Sequence, residues 1–299
     1  MTKIEKLRLT AFVYKTYYNN RVVIFMKLLI IQADNRQIYM REYLENQGFE
    51  CTVFNVNLLS GDNERQFDGA IFALPTIKNS RINCEYEINI ANVLSLVKKG
   101  GCVFYAMADE AFENAVRNAE LEMYDFYKRE ELIIRNAYAT AQAVLELVMI
   151  NSNVMIDELK FLITGYGKTG EAIADVLRRN HGEITVAARK IRDRARIVSH
   201  GMKAIDFDEI RNSAPNFDVV INTVPEKVIG KNLLESFSQS CLFLEIASKP
   251  YGIDIQTAQK QNKQIIIASS LPGKYVACSA GKFIAQTIMN LIKEESING

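Results

Sequence analysis

Residues 159–163 are apolar but for one lysine. They run into Gly165-Tyr166-Gly167-Lys168-Thr169-Gly170, a Gly-x-Gly-x-x-Gly turn. A helix-like segment, 168–180, leaves the turn, and a second apolar run, 184–188, comes after it. The chemistry this spacing suits is the binding of a pyrophosphate. The first glycine permits the tight turn, the second lets phosphate come close to the backbone, and the third lets helix and strand pack closely. The helix start then presents N–H groups to anionic oxygens. Flanked by strand, helix and strand, the motif predicts a bound dinucleotide. The competing reading is a glycine turn in a nucleotide-free α/β protein.

The end of the second strand selects the dinucleotide. A cofactor with a free ribose 2′-hydroxyl usually meets an acid about 20 residues after the glycines. Here that position is Arg189, in Ala187-Ala188-Arg189-Lys190-Ile191-Arg192. Cations without an acid suit a 2′-phosphate, because guanidinium forms paired, charge-assisted bonds with phosphate oxygens. We therefore expect NADP rather than NAD, with Ala188, Arg189 and Lys190 in its site. The alternative is a solvated helix start, in which Asp193 pairs with these cations.

Ligands of open α/β sheets sit beyond the carboxyl ends of the strands, so the other strand tips supply further candidates. Asn222, Thr223, Val224 and Pro225 follow one strand and are placed at the ribose or nicotinamide. Lys249 follows the next, in a loop turned by Pro250 and Gly252. It is suited to binding a carboxylate or assisting proton transfer, and with Asn222 it forms the candidate catalytic pair. The bland reading of Lys249 is a surface lysine. Pro272 and Gly273 follow the last strand and are expected to fix a loop above the nicotinamide, with Lys274 beside them. In the first half of the chain, Asp34 and Arg36 occupy a corresponding tip. Asp34, Arg36, Lys249, Pro272 and Gly273 make up the expected substrate site.

What is missing from these tips is informative. The two histidines, His181 and His200, each precede a glycine at the end of a helical stretch, a position that caps a helix. An alcohol dehydrogenase built on a histidine base is therefore hard to assemble here. Cys278 has no histidine within sequence reach. The five cysteines show no CxxC spacing, and no metal site is expected.

The elements that must position these residues alternate. From Met26, strands are expected near 27–31, 50–54, 67–74, 102–107 and 120–126, with helices over 35–46, 85–98 and 109–118. A long helix, 137–151, contains neither proline nor glycine. Beyond it, six strands are expected near 159–164, 183–188, 202–205, 217–223, 241–246 and 264–268, and a final helix over 279–292. Alternating strands and helices argue parallel sheets covered on both faces. The fold class is α/β with two doubly wound parallel-sheet domains, the first Rossmann- or flavodoxin-like and the second a Rossmann dinucleotide-binding domain. The expected domains are 26–136 on the substrate side, an interdomain helix at 137–152, and 153–299 for NADP with the C-terminal helix. That last helix has the option of crossing back to the first domain. Residues 1–25 are basic and aromatic, unlike the rest of the chain. They read as a poorly ordered extension or a start codon placed too early, or else as an added strand at 10–14 or 22–25.

With 299 residues, 48% hydrophobic, the chain can fill two cores. Its net charge of +1 gives no reason to expect nucleic acid or a membrane surface. No apolar stretch reaches the ~18 residues that span a bilayer. A reducing cytoplasm fits the cysteine usage.

Taken together, several segments resemble the dipicolinate synthase A-chain family: residues 32–37, Leu74-Pro75, the glycine motif at 163–170, 187–189, 221–225, 246–252 and 271–273. The resemblance covers about residues 27–294. It implies two Rossmann-like domains and NADP-linked oxidation of a cyclic dihydropyridine dicarboxylate to pyridine-2,6-dicarboxylate, a product that accumulates in endospores. It also implies a partner, the flavoprotein-like second chain of dipicolinate synthase, and the cytoplasm of a sporulating mother cell as location; we also expect a homo-oligomer. The chain departs from the family pattern at Ala277-Cys278-Ser279-Ala280-Gly281, where a proline and a cation are missing, and at Gln142, where a glutamate is usual. Arg36 and Lys249 would anchor the two carboxylates. The competing functions are a 2-hydroxyacid-type dehydrogenase and a non-catalytic NADP-binding regulatory or scaffold protein.

Overall fold

The computed structural model describes residues 14–18, 21–59 and 66–298, with side chains over 26–59 and 66–294. Strands β1 (Tyr14–Tyr18) and β2 (Arg21–Phe25) pair antiparallel, Tyr14 opposite Phe25. The expected strand at 22–25 thus lies in β2. Of the one expected at 10–14, all but Tyr14 falls outside the described residues. The chain divides into two compact units, Met1–Arg135 with Val276–Gly299, and Asn136–Tyr275.

The first unit contains β3 (Lys27–Ile30), α1 (Asn35–Glu45), β4 (Glu50–Val53), β5 (Phe67–Ile71), β6 (Ile77–Lys78), β7 (Arg81–Ile82), α2 (Ile90–Ser95), β8 (Val97–Tyr105), α3 (Glu110–Asn118) and β9 (Glu122–Asp125). Its main sheet has the order β4-β3-β5-β8-β9, all parallel. That is the 2-1-3-4-5 flavodoxin-like arrangement. Along β3 the buried side chains alternate. Leu28 and Ile30 enter one core, and Leu29 with Ile31 enters the core on the opposite face. A strand covered on both faces reads as a continuous apolar run for this reason.

One expected element differs. The helix predicted over 85–98 is only α2, six residues long, capped by the Asn89 side chain, which accepts from the Ala91 N–H at 2.9 Å. Val97 already pairs with Phe67 as part of β8. Gly100 and Gly101, which look like a helix stop, lie inside that strand. A Cβ on Gly101 would sit 2.7 Å from the Asp68 carbonyl, beside a register shift between Phe67 and Gly69. Gly101 serves close strand approach rather than helix termination, and Gly100 takes a φ of +71°.

Helix α4 (Glu130–Ser152) begins in the first unit and ends in the second. Among the described residues it is the one helix long and apolar enough to cross a membrane, which narrows the expectation that no such stretch exists. Ala141, Val144 and Val148 on it are fully buried in the core of the second unit, which accounts for its hydropathy.

The second unit continues with β10 (Lys160–Thr164), α5 (Lys168–Arg179), β11 (Glu183–Ala187), α6 (Ile191–Ser199), β12 (Lys203–Ile205), α7 (Ile210–Ser213), β13 (Val219–Asn222), α8 (Lys231–Leu234), β14 (Leu242–Glu245), α9 (Ile255–Lys260), β15 (Gln264–Ile267) and α10 (Leu271–Tyr275). The sheet order is β12-β11-β10-β13-β14-β15, parallel throughout. This is the 3-2-1-4-5-6 Rossmann order, and the strand order reverses between β10 and β13.

The last helix, α11 (Ala277–Asn298), packs in the first unit, so the second unit ends at Tyr275, whereas the expected domain 153–299 kept this helix with the second. Ile284, Ala285 and Ile288 share a core with Met40 and Leu44 of α1. Burying each large aliphatic side chain contributes roughly 1.5–3 kcal/mol. A Cβ on Gly281 would strike the Arg36 carbonyl, so this glycine is what lets the two helices come together.

Candidate dinucleotide site

Strand β10 delivers the chain to Gly165, whose φ of +91° lies in the left-handed region that glycine tolerates. Gly165 N–H donates to the Ala187 carbonyl at 2.9 Å, tying the turn to β11. Gly167 caps α5 with no side-chain hydrogen bond, and nothing lies within 4 Å of where its Cβ would be. A Cβ on Gly170 would strike the Gly165 carbonyl. The three glycines thus divide into a turn, an open face and a packing contact, as the motif requires.

A groove of about 470 Å³ opens over this helix end. Of the residues expected at the cofactor, Gly165, Tyr166, Gly167, Lys168, Ala188, Arg189, Lys190 and Val224 line it. Thr169, Gly170, Asn222, Thr223 and Pro225 are not in its lining. Glu171, Arg196 and Phe207 also line it and carried no signal of their own in the sequence. Tyr166 is buried, its hydroxyl 2.9 Å from His200 Nδ1 and its ring under the Arg196 guanidinium. Burial pushes the Tyr166 phenol up, and the Glu171 charge adds to this. Arg196 is held by Glu171 at 2.6 Å. His200 caps α6 and His181 follows α5 at φ +66°, so neither histidine stands at a strand tip.

The rim is basic. Arg189, Lys190 and Arg192 are exposed. Asp193 pairs with Arg192 at 3.5 Å, while Arg189 pairs with Glu226 at 2.9 Å. Arg194 braces the turn from below, donating to the carbonyls of Ala188 and Arg189 and pairing with Asp206.

At the tips of β13 and β14 the structure changes the expected roles. Asn222 is fully buried and its amide is engaged inside the fold. Its Oδ1 accepts from the Thr164 hydroxyl, and its Nδ2 donates to Val224 O and Glu245 Oε1. It is 0% exposed, with no surface open to a ligand. Thr223 Oγ1 donates to Thr164 O at 2.8 Å. Lys249 is exposed, before the cis Lys249–Pro250 bond, and has no ion-pair partner among the described residues. Glu245, an acid closing an otherwise apolar strand, was the overlooked signal here. Burial pushes its carboxyl up, against four hydrogen bonds that pull the other way. Pro272 and Gly273 belong to α10 rather than to a loop, with Leu271 and Pro272 buried.

In the first unit, Asp34 caps α1 in a reciprocal capping box with Gln37. Arg36 is 5% exposed, and its Nε and Nη2 bond both Asp34 oxygens at 2.6–3.2 Å. Nη2 also donates to the Leu74 carbonyl, next to the cis Leu74–Pro75 bond. The two residues of this unit expected to meet substrate, of the five named, are therefore joined to each other. Burial works to raise the Asp34 carboxyl, but the hydrogen bonds and charge of Arg36 outweigh it and hold the group below its ordinary value. Gln142 and Cys278 are exposed.

Comparison with known proteins agrees with this architecture. Residues 147–268, spanning β10 to β15, match the Shikimate / quinate 5-dehydrogenase family model. The dipicolinate synthase A protein of Bacillus subtilis is 27% identical over 194 residues. The match covers 64% of this chain and 65% of that protein, just under two thirds of the relative's length. The crystal structure of the dipicolinate synthase A chain from Bacillus subtilis has a TM-score of 0.79 at 22% identity, covering 92% of this chain and 98% of that one. Salmonella D-lactate dehydrogenase has a TM-score of 0.60 at 12% identity over 90% and 97%, a likeness of fold alone. In sequence over about two thirds of its length, and in the order of both sheets, the chain is similar to the dipicolinate synthase A chain, and both of its units have Rossmann-like parallel sheets.

Proposed function

We propose that the chain is an NADP-dependent oxidoreductase of the dipicolinate synthase type, which takes a cyclic dihydropyridine dicarboxylate to pyridine-2,6-dicarboxylate. The observation that carries this is the start of α5, capped by Gly167 without a side chain, opening into a groove with a cationic rim. The open space at Gly167 fits a diphosphate, and the helix end supplies N–H groups and a favourable dipole for it. Arg189, Lys190 and Arg192 supply charge for a ribose 2′-phosphate. Bound there, the nicotinamide supplies a two-electron acceptor for hydride.

The substrate ring gives up that hydride and one proton and becomes aromatic. Because aromatisation is downhill, orientation of the ring matters more than a strong base. This agrees with histidines that sit at helix ends. Lys249, exposed after β14, receives a substrate carboxylate or holds the departing proton. The Bacillus subtilis relative is one of the subunits of its synthase, which supports a partner protein here too. We assign a flavoprotein-like one, acting in the cytoplasm of a sporulating cell. The test is to mix the purified chain and such a partner with NADP and the dihydropyridine dicarboxylate. Growth of reduced-nicotinamide absorbance is expected, and its absence would refute the assignment.

One observation favours a second reading, a nucleotide-binding protein without turnover. Arg36 is bonded inside its own unit, and Ala277–Gly281 packs as helix where the family has a proline and a cation. That reading predicts tight NADPH binding with no turnover in the same assay.

A further inference from the structure

We propose that Glu245 is a positioning residue: its carboxylate moulds the 247–253 loop, which bears Lys249, into the surface that receives the nicotinamide half of the coenzyme. This rests on the reading that a nicotinamide dinucleotide occupies the groove at α5.

Thr164, Asn222 and Glu245 stand level on three neighbouring parallel strands, Thr164 opposite Asn222 and Asn222 opposite Glu245. All three are 0% exposed. Their side chains form one line of hydrogen bonds. The Thr164 hydroxyl donates to Asn222 Oδ1 at 2.6 Å, and Asn222 Nδ2 donates to Glu245 Oε1 at 2.7 Å. The line ends in the loop. Glu245 Oε1 also accepts from the Ala247 N–H at 3.0 Å, and Oε2 accepts from the N–H groups of Gly252 and Ile253 at 3.0 and 2.8 Å.

The carboxylate therefore meets four donors and no acceptor, an arrangement that serves the ionised form. A carboxylate in a core is costly unless it is fully bonded, and here four donors meet it. Three of the four donors belong to the loop. Gly252 is seated directly on the network, since a Cβ there would strike the Asn222 amide. Tyr251 beside it is held at φ +70°.

Topology says what the loop faces. The dinucleotide spans the point where strand order reverses, one mononucleotide on each half of the sheet. The β11–β12 half ends in the basic rim, and the β13–β15 half, whose second strand is β14, takes the nicotinamide. The loop after β14 is thereby a wall of that half-site. It is set by a residue that itself never meets ligand.

Amide hydrogen exchange with NADPH titration tests this on the full chain and on Glu245→Gln and Glu245→Asp. In the wild type, the amides of Ala247, Gly252 and Ile253 should exchange on the order of 100-fold slower than unprotected amides. Glu245→Gln, which replaces an acceptor oxygen with a donor, should speed those three about 10-fold or more and leave the β10 and β13 amides unchanged. The NADPH dissociation constant should stay within about 3-fold, because diphosphate and adenosine contacts are untouched. The rise in dihydronicotinamide fluorescence on binding should fall, and Glu245→Asp, which keeps the charge, should restore part of it. Wild-type loop amides that exchange freely would overturn the proposal even if no variant folds. So would unchanged loop exchange in Glu245→Gln, or an unchanged fluorescence rise. Failure of the wild type to bind either coenzyme would instead refute the cofactor reading, while the exchange data would still report on the loop.

Discussion

Arg189 and Glu226 face each other at the mouth of the groove, Nη2 to Oε2 at 2.9 Å, with side chains 70% and 68% exposed. The cation that would read a 2′-phosphate is thus already paired, with an acid from the loop after β13. An exposed pair of this kind contributes little to stability, roughly 0–1 kcal/mol, so its consequence is for coenzyme choice. Arg189→Ala should weaken NADPH by about 1–3 kcal/mol and NADH little. Glu226→Gln should tighten NADPH by up to about 1 kcal/mol by releasing the arginine. Fluorescence titration of both coenzymes reads this, and equal weakening of both by Arg189→Ala would remove the 2′-phosphate assignment.

Gly167 and Gly170 should separate binding from folding. At Gly167 the φ of −80° suits any residue and the space is open, so Gly167→Ala should fold normally. Its methyl group fills the cradle, and both coenzymes should bind about 10-fold or more weakly. At Gly170 a Cβ collides with the Gly165 carbonyl. Gly170→Ala should lower stability by roughly 1–3 kcal/mol, as overpacking does. Urea unfolding beside coenzyme titration distinguishes the two, and a stable Gly170→Ala with full affinity would contradict the packing role.

Asp34 should make the first unit sensitive to acid. Arg36 holds its carboxyl below the ordinary value, so its contribution is fully present above the unfolded-state value of 3.8 and disappears as pH falls through the lower folded-state value. Asp34→Asn should cost about 1–3 kcal/mol at neutral pH, from the lost charged bonds to Arg36. The gap to wild type should close as pH drops below 3.8. A gap that persists undiminished in strong acid would show that the charge is not what matters.

Gly281 should anchor the last helix. Gly281→Ala places a Cβ against the Arg36 carbonyl. It should separate α11 from α1 and cost roughly 1–3 kcal/mol, with faster exchange in both helices. Unaltered exchange in α1 would disprove the contact.

Local pattern alone was enough for most of the strands, the glycine turn and the basic tip, because each is written in neighbouring residues: apolar runs of strand length, glycines at a fixed spacing, cations where an acid is usual. Pairing order and side-chain partners are written nowhere locally. The segment 97–101 became strand because Phe67 and Asp68 lie beside it, although its own residues look like a helix and its stop. Asn222 sits at a strand tip, as its position implied. Only the tertiary structure shows its amide consumed by Thr164 and Glu245, 58 and 23 residues away. Arg36 likewise has the right charge in the right place, but Leu74, 38 residues on, and Asp34 engage its Nε and Nη2. The sequence by itself determined most of the strands and where a dinucleotide is expected. The tertiary structure decided which polar groups remain free to meet a ligand, because in a packed interior a donor goes to the nearest acceptor in space, and that neighbour is set by the fold.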